Sequence, residues 1–130
     1  MHAEHADSDR LNDLSGHVIG CALTVINTLG AGFLEKVYEN ALAYELRAGG
    51  FAVAQQCSVM VRYNDVVVGE YFADLLVENV LLVELKCVKA LGDAHRMQCT
   101  NYLRATGLRL CLLLNFGRSR LEIRRVVHGL

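Results

Sequence analysis

The chain has no proline among its 130 residues. Turns must therefore be made by glycine, asparagine and aspartate, which tolerate tight or left-handed backbone conformations. These residues group at a few points, and each group separates two stretches of regular apolar spacing. The predicted breaks are Gly30-Ala31-Gly32, Gly49-Gly50, Asn64-Asp65, Glu78-Asn79 and Phe116-Gly117.

Cysteine is present without the spacing of a disulfide or zinc site. The five cysteines are odd in number and form no Cys-x-x-Cys pair, so neither kind of site is indicated. Most of them lie in apolar patterns, where a thiol behaves as a small buried hydrophobe. They are Cys21, Cys57, Cys87, Cys99 and Cys111.

Long hydrophobic segments are also missing. Residues 1–13 are polar and acidic, so no signal peptide is visible there. The apolar run at 108–114 is too short to cross a bilayer and predicts a buried strand instead. We therefore expect no membrane association, and the free thiols favour a cytoplasmic location.

Several common catalytic motifs are absent from the sequence. There is no glycine-rich phosphate loop and no His-Glu-x-x-His pair. The serines at 15, 58 and 119 lie in no nucleophile elbow. Nucleotide-binding loops, zinc proteases and serine hydrolases are therefore not indicated.

Charge is close to balanced, at a net −1, but unevenly spread. Residues 1–46 carry seven acidic and two basic side chains, whereas residues 107–130 carry five arginines and one acid. The basic end could contact a phosphate backbone. Alternatively, its arginines keep an edge strand soluble and block pairing with other chains. The second interpretation is favoured, because the sequence has no dense basic run.

Apolar spacing predicts one domain with the order α-α-β-β-β-α-β-β. Residues 1–8 are expected to form a flexible tail, and residues 9–130 a single folded unit, because the length supports one core. Asp93 is the expected N-cap of the third helix. The predicted helices span about 8–29, 34–48 and 93–105, and the predicted strands 51–63, 66–77, 80–87, 108–115 and 121–127.

The stretch 74–86 predicts an apolar β-hairpin with an unusual set of charges. Glu78-Asn79 suits a tight turn, which brings Asp74 opposite Glu84. Strand alternation places Glu84 and Lys86 on one face and Leu85 on the other. Two carboxylates in so apolar a sheet are costly unless their charge is used. A hard divalent cation such as Mg²⁺, which takes carboxylate oxygens and keeps several waters, would use it.

Further blocks of sequence accompany this hairpin in a fixed order. They are Gly32-Phe33-Leu34-Glu35-Lys36-Val37-Tyr38, Gly69-Glu70-Tyr71, Ala73-Asp74-Leu75-Leu76-Val77, Val83-Glu84-Leu85-Lys86, His95, Gln98, Asn101-Tyr102-Leu103, Ala105-Thr106-Gly107 and Asn115-Phe116-Gly117. Over nearly the whole chain they resemble the GxxExxY proteins, a branch of the PD-(D/E)xK nuclease superfamily. One departure is Gly30-Ala31-Gly32, where the family usually has Gly-Pro-Gly.

The resemblance implies an α/β or α+β fold of the restriction-endonuclease-like type. Its mixed central sheet, flanked by helices, would carry the acidic cluster at one edge. Asp74 and Glu84 would bind Mg²⁺ or Mn²⁺, the carbonyl of Leu85 would add a third oxygen, and Glu35 would reach the metal directly or through water. The structural alternative is that the two carboxylates pair with Lys86 and nearby arginines in an ion network.

The resemblance also assigns roles around the metal. Lys86 would orient or activate the attacking water or hold the phosphate, and Gln98 would bind a phosphate or a water of the metal site. Tyr102, four residues after Gln98 on the same helix face, would contact the nucleic-acid backbone. Tyr38 and His95 are further candidates for substrate binding. A core aromatic is the favoured alternative for Tyr38, and a surface histidine for His95.

Three functions are therefore compared. The first is a Mg²⁺- or Mn²⁺-dependent phosphodiesterase acting on DNA or RNA, as a homodimer or with a partner protein, because so small a domain offers little surface for specific grip. The second is a non-catalytic binding or interaction module with a nuclease-like core, which the near-neutral charge favours. The third is a structural homo-oligomer that buries an apolar edge strand such as 108–114.

Overall fold

The computed structural model describes residues 3–129, with side chains from residue 7 onward. Three helices and five strands follow the predicted order, and the α+β fold class is confirmed. The elements are α1 (Ala3–Leu29), α2 (Glu35–Ala48), β1 (Val53–Tyr63), β2 (Val66–Val77), β3 (Leu81–Lys86), α3 (Asp93–Thr106), β4 (Leu110–Asn115) and β5 (Glu122–Val127).

The five strands form one mixed sheet in which spatial order equals chain order, β1-β2-β3-β4-β5. Three neighbouring pairs are antiparallel, and β3 with β4 is parallel. Parallel neighbours need a long connection, which α3 supplies. The charged hairpin predicted from the sequence therefore lies in the middle of the sheet, where β3 is hydrogen-bonded to β2 on one side and to β4 on the other.

Helices α1 and α2 cover one face of the sheet because their apolar residues recur at three- and four-residue steps. Leu14, Val18 and Val25 of α1 and Leu42 and Leu46 of α2 are buried there. Their partners on the sheet include the fully buried leucines Leu75, Leu85, Leu112 and Leu114. This is the larger of the two apolar layers.

Helix α3 covers the opposite face with a shorter apolar stripe. Cys99, Tyr102 and Leu103 pack against Leu82 and Leu113 from the central strands. The face of β3 that carries Glu84 is therefore the α3 face, opposite the face of Leu85 as strand alternation predicted. Among the described residues, no helix combines the length and apolar character that a membrane crossing needs.

Two element ends differ from the sequence prediction. Helix α1 begins at Ala3 rather than at Ser8 or Asp9, because residues 3–8 contain no helix-breaking residue and acids near a helix start favour the dipole. Most of the predicted tail is thus helical, and residues 1 and 2 lie outside the described part. The N-cap of α3 is Gly92, with Asp93 in the first turn.

The proline-free turns use left-handed residues, as predicted. Asn64 and Asp65 join β1 to β2 with φ of 48° and 66°, and Glu78 and Asn79 join β2 to β3 with φ of 52° and 59°. Two successive positive φ values give the turn whose twist matches that of antiparallel strands. The second turn fixes the register that brings Asp74 to Glu84.

Strand alternation breaks beside Asp74 in the first hairpin, apart from the register shift between Val61 and Arg62 further along β1. Val53 and Leu75 face the α1–α2 layer, whereas Val59 and Ala73 face α3. The change falls at Gln56, whose φ is 53° and which lies between two regular pairs of the ladder. A left-handed residue bends the strand and rotates the residues that come after it. Both strands therefore switch faces beside Asp74.

Asn115 holds the segment that comes after β3. Its side chain accepts hydrogen bonds from the Val88 and Gly117 amides at 3.0 and 2.9 Å and donates to the Val88 carbonyl at 2.9 Å and to Glu122 at 3.0 Å. The Phe116 amide also donates to the Lys86 carbonyl at 2.8 Å. The fully buried amide thereby fixes the chain just after Lys86.

Gly117 lies so close to this segment that it has no room for a side chain. A Cβ built there would lie 2.4 Å from both the amide nitrogen and the carbonyl oxygen of Val88. These are backbone atoms, so the strand end would have to move. Gly16, in the middle of α1, has open space around the same position.

We predict opposite effects for the same substitution at these two glycines. Gly117→Ala should lower the free energy of unfolding by about 1–3 kcal/mol through overpacking. Gly16→Ala should raise it by roughly 0.8–1 kcal/mol, because alanine is the better helix former. Urea denaturation followed by circular dichroism measures both. Equal stability of the two variants would contradict the close approach at Val88.

Candidate active site

Asp74 and Glu84 are joined across β2 and β3 by two reciprocal hydrogen bonds. The Asp74 amide donates to Glu84 Oε1 at 2.9 Å, and the Leu85 amide donates to Asp74 Oδ2 at 2.8 Å. Each carboxylate therefore takes a backbone donor from the other's strand. The predicted pairing of these two residues is present, and it is held by main-chain groups whose positions the sheet fixes.

Glu84 is the most buried of the acidic residues that were predicted to form the site, with 3% of its surface exposed. Burial, followed by the charge of Asp74, raises the pKa of Glu84 to about 9. The Asp74 amide and the Lys86 ammonium oppose this shift without cancelling it. An ionised carboxylate here is costly until a positive charge is added.

The ion network considered as an alternative for these carboxylates is not formed. Within residues 7–129, neither Asp74 nor Glu84 makes a salt bridge to a lysine or arginine. Asp74 instead receives the Leu85 amide and, at 3.3 Å, the side-chain amide of Gln56. The charge of Lys86 reaches Glu84 through space, without direct contact.

Glu35 reaches the same cluster from the first turn of α2. Burial, then repulsion by Asp74, raises the pKa of its carboxyl, while Lys86 and a backbone hydrogen bond from Cys87 lower it. Asp74 and Lys86 can act on Glu35 only if all three lie close together. The structure thus gathers four predicted residues from α2, β2 and β3: Glu35, Asp74, Glu84 and Lys86.

A buried glutamate that sequence analysis missed lies behind this cluster. Glu39, 3% exposed, accepts Lys36 Nζ at 3.0 Å, Gln55 Nε2 at 2.7 Å and Gln56 Nε2 at 2.7 Å. It lies on the buried stripe of α2, one turn after Glu35. A charged residue at an apolar position of that stripe was the signal that could have revealed it.

Gln56 connects Glu39 to the candidate site. Its side-chain nitrogen donates to Glu39 Oε1 at 2.7 Å and to Asp74 Oδ1 at 3.3 Å. A side chain of ordinary β conformation would point to the opposite face, so the left-handed backbone at φ 53° is what aims it at both carboxylates. The strain of that conformation, of order 1–3 kcal/mol, is sustained by these two contacts.

The predicted α3 residues lie on the other side of the carboxylates. Burial, then the charges of Glu84 and Asp74, raises the pKa of Tyr102 to about 12, which places its hydroxyl in their electric field. Gln98 is half-buried on the same helix face and lines a groove with Tyr102. The Tyr71 ring lies 5.9 Å from the Tyr102 ring.

Tyr38 and His95 take structural positions. Tyr38 is fully buried and stacks on Phe116 with ring centroids 4.9 Å apart. Its hydroxyl donates to the Gly30 carbonyl and accepts the Phe33 amide at 3.1 Å, so it holds the α1–α2 loop. His95 Nδ1 accepts the Gly92 amide at 3.0 Å and closes the start of α3. The core alternative for Tyr38 matches this placement.

The chemistry of the donor atoms fits a hard divalent cation. Asp74, Glu84 and Glu35 offer carboxylate oxygens. Burial first, and then the charge of Asp74, raises the pKa values of the two glutamates, and Lys86 offsets only part of this shift. In the arrangement described for residues 7–129, no three metal-ligating side chains already converge on one point. Leu85 contributes its amide to Asp74, and its carbonyl remains a predicted ligand.

Comparison with known protein families places the chain. The family described as the PD-(D/E)XK nuclease superfamily matches residues 12–126. The chain belongs to this superfamily. A search of curated proteins found no match.

Two solved structures share the fold. The crystal structure of SSO0001 is 17% identical, with a TM-score of 0.56, over 73% of this chain and 50% of that one. The alkaline exonuclease LHK-Exo from Laribacter hongkongensis is 14% identical, with a TM-score of 0.54, over 72% of this chain and 56% of that one. The match spans about half of each neighbour's length. The restriction-endonuclease-like fold prediction is confirmed.

We predict that Glu84→Gln stabilises the metal-free protein at alkaline pH. The raised pKa of Glu84 means that the folded state holds its proton more tightly than the unfolded state, so the wild type loses stability as pH rises from about 4.3 towards about 9. Glutamine keeps the acceptor for the Asp74 amide and carries no charge. The difference in Tm between variant and wild type should therefore grow over this range.

Thermal unfolding in chelator at pH 5, 7 and 9 measures this difference. A gain of even about 1 kcal/mol corresponds to roughly 4 °C in Tm. Subtracting the two proteins at each pH removes the titration of all groups they share. A constant difference from pH 5 to 9 would mean that Glu84 ionises as easily in the folded protein as in the unfolded chain.

We predict that the Gln56→Gly variant is more stable than the Gln56→Ala variant, which is the reverse of the usual order in a strand. Both Gln56→Gly and Gln56→Ala remove hydrogen bonds to carboxylates, which contribute about 1.5–3 kcal/mol. Glycine accepts a φ of 53° without strain, so the glycine variant should be the more stable of the two by roughly 1 kcal/mol. At Ser58, an ordinary strand position two residues on, the order should reverse. Urea unfolding of the four variants tests both orders.

Proposed function

We propose that this protein is a Mg²⁺- or Mn²⁺-dependent phosphodiesterase that hydrolyses nucleic acid. The observation that carries the proposal is a pair of hydrogen bonds, in which Glu84 accepts the Asp74 amide and Asp74 accepts the Leu85 amide, which hold the two carboxylates side by side. Lys86 lies on the same face of β3 as Glu84. The charges of Asp74 and Lys86 both act on the carboxyl of Glu35. Membership of the nuclease superfamily supports the same chemistry.

Asp74, Glu84 and the carbonyl of Leu85 would hold the ion, with Glu35 as a further ligand directly or through water. When bound, the ion supplies positive charge that polarises the scissile phosphate and makes a water more acidic. Glu84 Oε1 is already engaged by the Asp74 amide, so the strand pairing orients the carboxylate before any ion arrives. Gln56 and Glu39 limit the movement of Asp74 from behind.

Lys86 would act on the developing negative charge of the phosphate. It makes no ion pair within residues 7–129, so its ammonium is available to a substrate. Asn115 and Phe116 fix the backbone at and just after the lysine, which limits where the ammonium can reach. Preformed positive charge of this kind stabilises a transition state without reorganisation.

The GxxExxY branch is the proposed place of this chain within the superfamily. The blocks from Gly32 to Tyr38 and from Asn115 to Gly117 now have structural roles that suit such a motif. The first block supplies Glu35 and locks the preceding loop through Tyr38. The second fixes the end of β3. A second copy of the chain or a partner protein would supply the further contacts needed to bind nucleic acid.

The rival proposal is a nuclease-like module that binds without turnover. Its support is the near-neutral net charge of −1, since strong non-specific nucleic-acid binding usually needs a basic surface. Against it, Asp74, Glu84 and Lys86 are all present and gathered at one place. The two proposals predict different outcomes for metal binding and for cleavage.

We predict that the wild type binds Mn²⁺ and Mg²⁺ in calorimetry and that Asp74→Asn and Glu84→Gln weaken this binding. The loss should exceed about tenfold, because even partners of metal ligands contribute 10- to 100-fold to affinity. Glu70→Gln is the matched control, since Glu70 is an exposed acid of β2 that hydrogen-bonds Ser58 at 2.7 Å. It should bind metal like the wild type.

Cleavage of labelled DNA and RNA by the same proteins tests the activity. Lys86→Ala should retain the fold and metal binding but lose roughly 10²- to 10³-fold in rate, the size expected for one preorganised charge. Metal binding with no cleavage of any single- or double-stranded substrate would favour the binding module. Equal metal affinity in the wild type and both carboxylate variants would refute the site.

A further inference from the structure

A groove outside the carboxylate cluster runs between the outer half of the β1–β2 hairpin and α3. Its volume is about 880 Å³. One wall carries Met60, Arg62 and Tyr71 from the hairpin. The other carries Met97 and Arg104 from the helix, together with Gln98, Asn101 and Tyr102. The chemistry proposed for the carboxylates does not by itself give this groove an occupant.

The charge of the groove is one-sided. Arg62 and Arg104 face it from opposite walls, and no aspartate or glutamate lines it. Within the side chains described, neither arginine forms a salt bridge. In a protein of net charge −1, two unpaired arginines across one groove are a local positive site that suits a polyanion.

The walls of the groove also offer flat and apolar surface near the arginines. Tyr71 is 53% exposed, and Met60 and Met97 are exposed by 42% and 57%. An exposed tyrosine ring gives a nucleic-acid base a surface on which to stack. The base faces that can stack on such a ring are hidden inside a duplex and accessible in a single strand. The groove therefore suits a strand with unpaired bases.

The groove is adjacent to the candidate active site. Tyr102 lines the groove and also packs in the buried cluster of Ala73, the residue before Asp74, and Leu82, two residues before Glu84. Gln98 lies one helical turn before Tyr102 on the same wall. A strand held by Arg62 and Arg104 would thus continue towards the carboxylates.

We infer that this groove binds the backbone and bases of single-stranded nucleic acid and leads the strand to the Asp74–Glu84 site. Arg62 and Arg104 contact phosphates, and Tyr71 stacks on a base. The inference rests on the proposed nuclease function and adds to it the strandedness of the substrate and the residues that grip it. DNA and RNA share this chemistry, and the measurement separates them.

Fluorescence anisotropy with end-labelled oligonucleotides tests the inference. The probes are a single-stranded DNA, an RNA of the same sequence and the matching DNA duplex, each measured in Ca²⁺ from 50 to 200 mM salt, with their integrity checked on denaturing gels. The variants are Arg62→Ala, Arg104→Ala and Tyr71→Ala. Arg120→Ala is the matched control, because Arg120 is exposed in the turn before β5, outside the groove.

We expect the wild type to bind one or both single strands more tightly than the duplex. Each groove arginine variant should reduce the slope of log affinity against log salt by about 0.7, the value for one phosphate contact to a single strand. Tyr71→Ala should weaken binding by roughly five- to hundredfold with an unchanged slope. Arg120→Ala should match the wild type in both respects.

Tighter binding of the duplex, no single-strand binding, or equal losses in Arg120→Ala and the groove variants would each overturn the inference. Cleavage separates this failure from that of the proposed function. If the groove variants cleave with an unchanged KM, the nuclease stands and the groove assignment falls. If groove-dependent binding is found and no substrate is cleaved, the groove stands and the catalytic proposal falls. Circular dichroism confirms that each variant is folded.

Discussion

Two carboxyl groups held side by side on neighbouring strands, with Glu84 buried and Asp74 half-buried, are the constraint around which this structure is arranged. Asp74 and Glu84 cannot neutralise one another, so each takes a backbone amide from the other's strand. Those amides are available only because the turn at Glu78-Asn79 sets the hairpin register. Gln56 connects Asp74 to the buried Glu39 by hydrogen bonds, and the Asn115 side chain fixes the segment after β3. The cost of burying charge is thus met by several elements together.

Much of the architecture follows from local sequence. Helix and strand order, the proline-free turns and the opposition of Asp74 and Glu84 all come from period, turn chemistry and hairpin geometry, which act between residues near in sequence. Glu39 and Gln56 lay beyond this reasoning. Their contact joins α2 to β1, and it depends on a break in strand alternation that apolar spacing does not reveal. Strict strand alternation would predict that the Gln56 side chain points to the opposite face of the sheet, away from Glu39.

The motif blocks divide into residues that gather at the carboxylates and residues that hold the frame. Tyr38 is the last residue of the block from Gly32 to Tyr38, yet it is buried. Its hydroxyl holds the loop before α2 through Gly30, and this loop sets the start of the helix at Glu35. His95 closes the first turn of α3, the helix that presents Gln98 and Tyr102. Sequence resemblance marks both kinds of residue alike, because loss of either would disturb the site. Only side-chain contacts separate them.

The sheet order has a consequence for how the chain acquires its structure. Each strand pairs with the one made just before it, so most contacts form over short loops, a topology that favours rapid folding. Without proline, refolding lacks the slow isomerisation phase of roughly 10–100 s. The contacts of α1 with the last strands are distant: Arg125 of β5, for example, donates to Ser15 and Asn12 of α1, across 110 and 113 residues. During synthesis, the hydrogen bonds between α1 and β5 can therefore form only after the last strand has been made.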